Sequence, residues 1–302
     1  MKRFFTVVVC LLLLASLVAG CGKTPQQQTP QEETGLEPNK EQVVKLVYSS
    51  EISEWNYLVP SAAGDYANYL DHLVEYDYFG MCQPCLAESW TKSEDGLTWT
   101  FKIRKGVKWM TWDGKEYGED VTAHDFVTTA KYILDSNNAC RTADLMFVFE
   151  GAEKYYDETT RPGVTPDWSK VGIRALDDYT LEFKLLRPLP YFLSMLTYNW
   201  GYPTNAKFLE EMGEQFGTGP KTILYCGAFL CSEYEPESYR IDTRNPTYWD
   251  AEDIYVERIE RRYNAEAATL APELLLRGEV TYADIPATQL DEWMNDPEKA
   301  KL

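Results

Sequence analysis

The chain has 302 residues and a formal net charge of −19, from 29 Lys and Arg against 48 Asp and Glu. A content of 44% hydrophobic and 25% charged residues is typical of a folded globular protein and excludes a disordered or fibrous one. The acidic surplus argues against a general nucleic-acid binder, because phosphate binding requires an excess of Lys and Arg. With only two histidines, His72 and His124, little material exists for His-rich metal sites or Ser-His-Asp catalysis.

The amino terminus has the pattern of an export signal. Lys2 and Arg3 precede an almost wholly apolar run over 4–17, which is shorter than the ~20 residues that span a bilayer. The run ends in Leu-Val-Ala-Gly-Cys at 17–21, which resembles the lipobox of bacterial lipoproteins. That resemblance implies cleavage of residues 1–20 and a diacylglyceryl thioether on Cys21. A plain signal peptide with an incidental cysteine is the alternative.

Residues 21–40 are rich in Gln, Thr, Pro and Glu and contain almost nothing apolar. Such a segment cannot bury a core, so we predict a flexible polar tether. A lipid followed by a tether and a globular body describes a protein held on the extracytoplasmic face of the cell membrane. Because the chain is acidic, the lipid and not headgroup attraction must provide the anchoring.

Five cysteines remain after Cys10 and Cys21 are set aside: Cys82, Cys85, Cys140, Cys226 and Cys231. An odd number leaves at least one thiol unpaired. The first two have the spacing of a redox motif, but no strand-to-helix pattern surrounds them, and no second CxxC is present to complete a zinc site. Free thiols in the core or a single disulfide are the favoured interpretations.

The body alternates predicted strands and helices. Residues 43–48 read as a buried first strand, and apolar side chains over 66–76 recur at helical spacing. Strict alternation over 97–103 predicts a strand with one buried face. Thr122 and Asp125 have capping-box spacing at the start of a further helix.

The second half continues the alternation. A strand is predicted over 179–185 and a helix over 190–197. Residues 265–277 read as a helix with a kink or break at Pro272, and Gly278 provides its carboxyl-terminal stop. A last helix-like stretch covers 289–294.

One long stretch resembles a known family, the extracellular solute-binding proteins of family 5, the oligopeptide and dipeptide binders of ABC transporters. The matching motifs are Leu86–Trp90, Asp95–Phe101, Ile103-Arg104, Lys105–Trp109, Asp113-Gly114, Thr122-Ala123 and Asp125-Phe126. Weaker matches follow at 225–229, where Cys and Ala replace the commoner Asn and Pro, at 244–249, and at 277–284. The resemblance runs from about residue 43 to the end.

The resemblance implies an α/β fold of the type II periplasmic-binding-protein kind, a clamshell with a discontinuous lobe one and an inserted subdomain. We expect lobe one over 41–60 and 170–276, the inserted subdomain over 61–169, and the start of lobe two over 277–302. Family members are longer than this chain. We therefore expect most of the second lobe to be missing, the chain being a fragment or a natural truncation.

The function implied by the resemblance is capture of a peptide outside the membrane and its delivery to an ABC transporter permease. No bond is broken, so no nucleophile, cofactor or metal is expected, and neither is a nucleic-acid partner; a monomer is expected. The alternatives are a family-related binder of nickel, haem or an oligosaccharide, and a surface hydrolase acting through paired carboxylates.

Candidate ligand-binding residues follow from the same resemblance, which places the loop after the first strand at the cleft. Glu51, Ser53 and Trp55 belong to that loop, and Glu51 is a candidate partner for a peptide amine or backbone N–H. Trp200, after the predicted helix over 190–197, is a further candidate. Solvent exposure of Glu51 and core packing of Trp200 are the competing interpretations.

Overall fold

The computed structural model describes residues 42–52, 54–60 and 64–301. All of them belong to one compact unit, residues 41–302. The strands are β1 Val43–Tyr48, β2 Val74–Tyr76, β3 Cys82–Pro84, β4 Ala87–Lys92, β5 Thr98–Ile103, β6 Lys108–Met110, β7 Glu116–Asp120, β8 Ile173–Asp177, β9 Thr180–Lys184, β10 Phe229–Glu235, β11 Tyr239–Arg244 and β12 Arg258–Tyr263. The α-helices are α1 Ala123–Ile133, α2 Ala152–Thr159, α3 Phe192–Met195, α4 Ala206–Met212, α5 Ala267–Leu276 and α6 Leu290–Asn295.

The first sheet has the strand order β1-β12-β11-β10. β1 and β12 are parallel, whereas β12, β11 and β10 pair antiparallel. The predicted strand over 43–48 is confirmed, but its predicted burial is wrong, because β1 is an edge strand whose residues are partly or fully exposed. A parallel pair needs a long connection between its strands, and here the chain makes almost the whole rest of the fold before it returns to pair with β1.

The second sheet has the order β4-β5-β9-β8, and we call it the aromatic sheet. Its two central strands are those whose alternating patterns predicted them: β5 pairs with β9 so that Trp99 lies opposite Phe183 and Phe101 opposite Leu181. All four side chains are buried. The alternation of apolar residues therefore predicted both the strands and their buried faces.

The aromatic sheet draws strands from both sides of the predicted division at residue 170. β8 and β9 follow that position, and they belong to the same sheet as β4 and β5, which precede it. β9 pairs antiparallel with β5, and β8 pairs antiparallel with β9. The division into lobes stays a prediction.

The helical spacing over 66–76 is only partly reflected in the structure. A 3₁₀ helix covers Gly64–Asn68, and the chain then extends into β2. Tyr69 and Leu73 are fully buried, but the carbonyl of Tyr69 accepts from the amides of residues 226 and 227, and the amide of Leu73 donates to Gly201. Tertiary hydrogen bonds thus take the backbone groups that a continuous helix would need.

The other predicted helices are shorter in the structure than their patterns, except for α6. The start of α1 is confirmed: the backbone amide of Thr122 donates to Asp125 Oδ2 over 2.7 Å. α5 ends as expected, because Gly278 adopts the left-handed conformation with φ +70°. Pro272 lies inside α5 without ending it.

The five cysteines of the body are free thiols, and all but Cys82 are buried. Within the described ranges, no group of three or more His, Cys, Asp or Glu side chains has the arrangement of a metal site. In the same part of the chain, no helix combines the length and the apolar character needed to cross a bilayer.

Candidate functional site

The carboxyl ends of β1 and β12 meet at one edge of the first sheet. The two strands are in register from Val43 opposite Arg258 to Tyr48 opposite Tyr263. The last pair places two aromatic rings side by side, with centroids 5.6 Å apart in an edge-to-face arrangement. In open α/β sheets, ligands bind outside the carboxyl ends of parallel strands, so this edge is a candidate ligand site.

The segment that follows α5 returns to this edge. Thr281 contacts β1 on the side opposite β12: its amide donates to the carbonyl of Lys45 over 2.9 Å, and its Oγ1 accepts from the amide of Lys45 over 2.8 Å. These bonds fix where the following residues go. Residues 282–286 consequently lie beside the end of β1.

A cavity of about 520 Å³ opens at this point. Its walls are residues 46–49 at the end of β1, Ala267, Ala268 and Ala271 of α5, and residues 282–286. The volume lies within the range of about 300–1,000 Å³ that is usual for small-ligand pockets. The cavity adjoins the loop that the sequence places at the ligand.

Glu51 in that loop is half-buried and accepts three hydrogen bonds. Tyr48 Oη donates to its Oε1 over 3.0 Å, Tyr234 Oη donates to its Oε2 over 3.1 Å, and the amide of Glu237 donates to its Oε1 over 2.7 Å. The carboxylate thus ties the loop after β1 to the hairpin between β10 and β11. It also holds the hydroxyl of Tyr48, a residue that lines the cavity.

The protonation of the two tyrosines matches this arrangement. Burial, followed by the hydrogen bond to the Glu51 carboxylate, raises the pKa of the Tyr48 hydroxyl well above its ordinary value. The same two causes raise the pKa of Tyr234. Both hydroxyls therefore keep their protons and act as donors to Glu51.

Trp55 belongs to the same loop, but its side chain is buried and does not line the cavity. Its side chain is only 5% exposed. The indole stacks on Tyr69 with centroids 6.1 Å apart and meets the Tyr234 ring edge-on at 5.3 Å. Trp55 therefore supports the same loop that Glu51 ties down.

Trp200 lies elsewhere, in the core beside the aromatic sheet. It is 2% exposed, and its ring meets Phe149 edge-on at 5.5 Å. Packing accounts for this position, and the structure does not bring Trp200 together with Glu51 at the cavity. Two further predicted residues, Ser53 and Cys21, lie outside the described residues.

A buried charge cluster stiffens the first sheet next to the site. Asp242 on β11 is fully buried and forms an ion pair with Arg261 on β12. Its Oδ1 also accepts from Tyr69 Oη over 2.6 Å, and Arg240 lies 3.9 Å away. Buried charges need such partners, so this cluster ties β11 to β12, the strand that pairs with β1.

Several cavity residues were missed by the sequence reasoning. Tyr282, Asp284, Ile285 and Pro286 lie more than two hundred residues from β1, and nothing local links them to it. The stretch 277–284 was recognised only as a family motif at the start of a second lobe. Its function as a cavity wall depends on the pairing of Thr281 with Lys45.

The structure thus combines α/β sheets with a candidate ligand cavity beside the carboxyl end of β1. The chain belongs to the bacterial extracellular solute-binding proteins, family 5: the model of the middle part of that family matches residues 82–301. The recognition made from the sequence motifs is therefore confirmed.

Several relatives are oligopeptide-binding proteins. The oligopeptide-binding protein AliB of Streptococcus pneumoniae is 37% identical over 256 residues, which cover 83% of this chain and 37% of AliB. The oligopeptide-binding protein AmiA of the same species is 34% identical and covers 87% of this chain and 38% of AmiA. The chain thus spans less than two fifths of the length of these relatives.

Solved structures agree on the fold. The substrate-binding domain of an oligopeptide ABC transporter from Bacillus anthracis superposes with a TM-score of 0.75 at 29% identity, over 85% of this chain and 48% of that one. The pheromone receptor PrgZ gives a TM-score of 0.74 at 23% identity, over 86% and 50%. The predicted α/β fold of the periplasmic-binding-protein kind is confirmed, and the chain spans about half of each structure.

Proposed function

We propose that this chain binds peptides outside the cytoplasm as part of the substrate-binding component of an ABC transporter. Membership of an extracellular solute-binding family supports the location and the absence of catalysis. The names of AliB and AmiA support peptide as the ligand class. The observation that carries the proposal is the cavity of about 520 Å³ between the carboxyl end of β1, helix α5 and residues 282–286.

The binding mode we propose is strand addition. An extended peptide offers backbone donors and acceptors at regular spacing, and a protein segment that continues a strand can pair with them regardless of the side chains. Ser49 and Ser50 follow β1 directly and are exposed. They are the first residues beyond the sheet that such a peptide would meet. A second lobe then closes over the peptide, with hinge segments absorbing the motion.

Glu51, Ser53 and Trp55 have distinct parts in this proposal. Glu51 and Trp55 hold the loop in place, which lowers the entropic cost of ordering it on binding. Glu51 also keeps negative charge close to the cavity, where it attracts a peptide amine. Ser53 supplies a polar group within the same loop. Trp200 is left out of the ligand set because its ring is buried in the core.

The lipid anchor is part of the proposal. With Cys21 acylated, the tether over 21–40 keeps the body close to a membrane-embedded permease. The test is a Cys21→Ala variant in cells labelled with radioactive palmitate. Wild-type protein incorporates label and sediments with membranes, and the variant does neither. Label retained in the variant would contradict the anchor and leave the peptide proposal standing.

Calorimetry tests the ligand class. The full-length protein is titrated with a mixed pool of peptides and, as the matched control, with the same pool hydrolysed to amino acids. We expect heat of binding from the intact pool only, and mass spectrometry should recover the peptides uncleaved. Absence of heat from any peptide pool would falsify the proposal, and shortened peptides would favour a hydrolase.

A further inference from the structure

The cavity at the end of β1 is lined mostly by apolar and aromatic side chains. Apart from Ser49 and Asp284, every lining residue is aliphatic, alanine, proline or tyrosine. Leu46, Tyr282 and Ile285 come from different segments and converge on the same space. A ligand that contributed only backbone atoms would place polar groups against this lining and leave them without partners.

The side of the cavity formed by α5 is built from the smallest side chains. Ala267 and Ala271 of α5 are buried, and Ala268 is exposed to the cavity. The cavity is open to solvent, with Tyr282 59% exposed, so a ligand group that filled it would remove apolar surface from water. The shape and lining favour a bulky apolar group.

The polar groups at the rim are already engaged with one another. Tyr282 Oη donates to Asp284 Oδ1 over 2.5 Å, and Tyr48 Oη donates to Glu51. The hydroxyls of both tyrosines that line the cavity are therefore already hydrogen-bonded to carboxylates of this chain. Two carboxylates next to it disfavour a further negative charge.

We propose, on the basis of the proposed function, that this cavity is a specificity pocket for one bulky apolar or aromatic side chain of the bound peptide, and that it rejects Asp and Glu. The backbone of the peptide pairs along the loop after β1, and one side chain enters between α5 and residues 282–286. The protein then selects peptides by a single residue while accepting many others elsewhere.

The experiment is a positional scan by calorimetry on the full-length protein. The host is an all-alanine peptide of the length that the peptide pool shows to bind, and each position is changed in turn to Phe, Leu or Asp. Burial of a large apolar side chain is worth roughly a tenfold to hundredfold gain in affinity. We expect that gain for Phe and Leu at one position, and a loss of at least tenfold for Asp at the same position.

Variants locate the pocket. Ala268→Leu fills the exposed part of the cavity, so the preference for Phe over Ala at that position should fall below threefold. Thr269→Leu, one residue further along α5 and not in the lining, is the matched control and should keep the full preference. Asp284→Asn provides a second test that does not change the packing, and should reduce the penalty for Asp at that position.

The outcomes separate the two proposals. Peptides that bind with no positional preference would overturn the specificity pocket and leave peptide binding intact. The same holds if Ala268→Leu keeps the full preference for Phe and Asp284→Asn keeps the full penalty for Asp. Equal weakening of all peptides by Ala268→Leu would show that backbone or another part of the protein occupies the cavity, which also overturns it. Failure of every peptide to bind would instead remove the proposed function itself.

Discussion

The aromatic sheet and the cavity edge of the first sheet differ in how their side chains fill the space beside the strands. In the aromatic sheet, Phe101 packs against the rings of Trp90, Trp99, Phe183 and Phe192, and its side chain is fully buried. At the cavity edge, alanines of α5 face an open space, and Tyr282 is 59% exposed. Side chains fill the space around Phe101 in the aromatic sheet, whereas the cavity edge keeps an open space beside β1.

This difference predicts which substitutions affect folding and which affect binding. Dense packing of interlocking rings makes the aromatic sheet a scaffold, where the loss of a single ring leaves a cavity. The cavity edge already contains its space, so alterations there should change binding more than folding. A bridge joins the aromatic sheet to the connection between β11 and β12: Asp71 accepts from Trp249 Nε1 over 2.6 Å, and Arg104, which follows β5, stacks on the Trp249 ring at 3.8 Å.

The largest effect is expected in the aromatic sheet. Phe101→Ala removes a fully buried ring and should lower the free energy of unfolding by about 3–5 kcal/mol, as measured by urea denaturation. Leu176→Ala, on β8 of the same sheet but 54% exposed, is the control and should cost less than about 0.5 kcal/mol. Equal losses in the two variants would contradict the description of this region as a close-packed scaffold.

The bridge predicts a dependence of stability on pH. Burial raises the pKa of Asp71 to about 7, against an unfolded value near 3.8, although hydrogen bonds from Trp249, Tyr248 and Cys85 oppose the shift. The folded state therefore retains a proton that the unfolded state releases, so the stability due to Asp71 is greatest below pH ~4 and falls as the pH rises to ~7. Burial and Asp250 raise the pKa of nearby Glu75, which adds to the same trend.

The size of this pH effect is at most about 4 kcal/mol for Asp71. Asp71→Asn keeps an acceptor for Trp249 Nε1 but cannot titrate. Denaturation curves recorded between pH 4 and pH 8 should show a flatter profile for the variant than for the wild type. A variant as pH-dependent as the wild type would mean that the bridge is not the titrating element.

At the cavity edge, Glu51→Gln removes the charge that accepts from Tyr48, Tyr234 and the amide of Glu237. The expected loss of stability is ~1–2 kcal/mol, because hydrogen bonds to a charged group are stronger than neutral ones. If the proposed function holds, peptide affinity should fall by about tenfold in calorimetry. Glu94→Gln, on the exposed turn between β4 and β5 of the aromatic sheet, serves as the control and should alter neither quantity. Unchanged affinity in Glu51→Gln would limit Glu51 to a structural role.

The smallest effect is expected at the pairing that positions the cavity wall. Thr281→Val removes the Oγ1 that accepts from the amide of Lys45 and should cost ~1 kcal/mol by urea denaturation. Thr269→Val, at an exposed position of α5, provides the comparison. We also expect weaker binding of peptides with a bulky side chain in the Thr281 variant, since residues 282–286 lose one of their two attachments. A loss restricted to Thr269→Val would reverse this assignment.

By itself the sequence determined the elements whose signals are local: the strands at 43–48, 97–103 and 179–185, the capped start of α1, the glycine that ends α5, and the family. Alternation, capping and turn residues act over a few positions, so they can be read without the rest of the chain. The tertiary structure alone decided that residues 66–76 leave the helix, that β8 and β9 belong with β5, that Trp200 is core, and that residues 282–286 form a wall beside Tyr48. Each of these depends on contacts between residues far apart in the chain, where backbone hydrogen bonds and packing outweigh local preference.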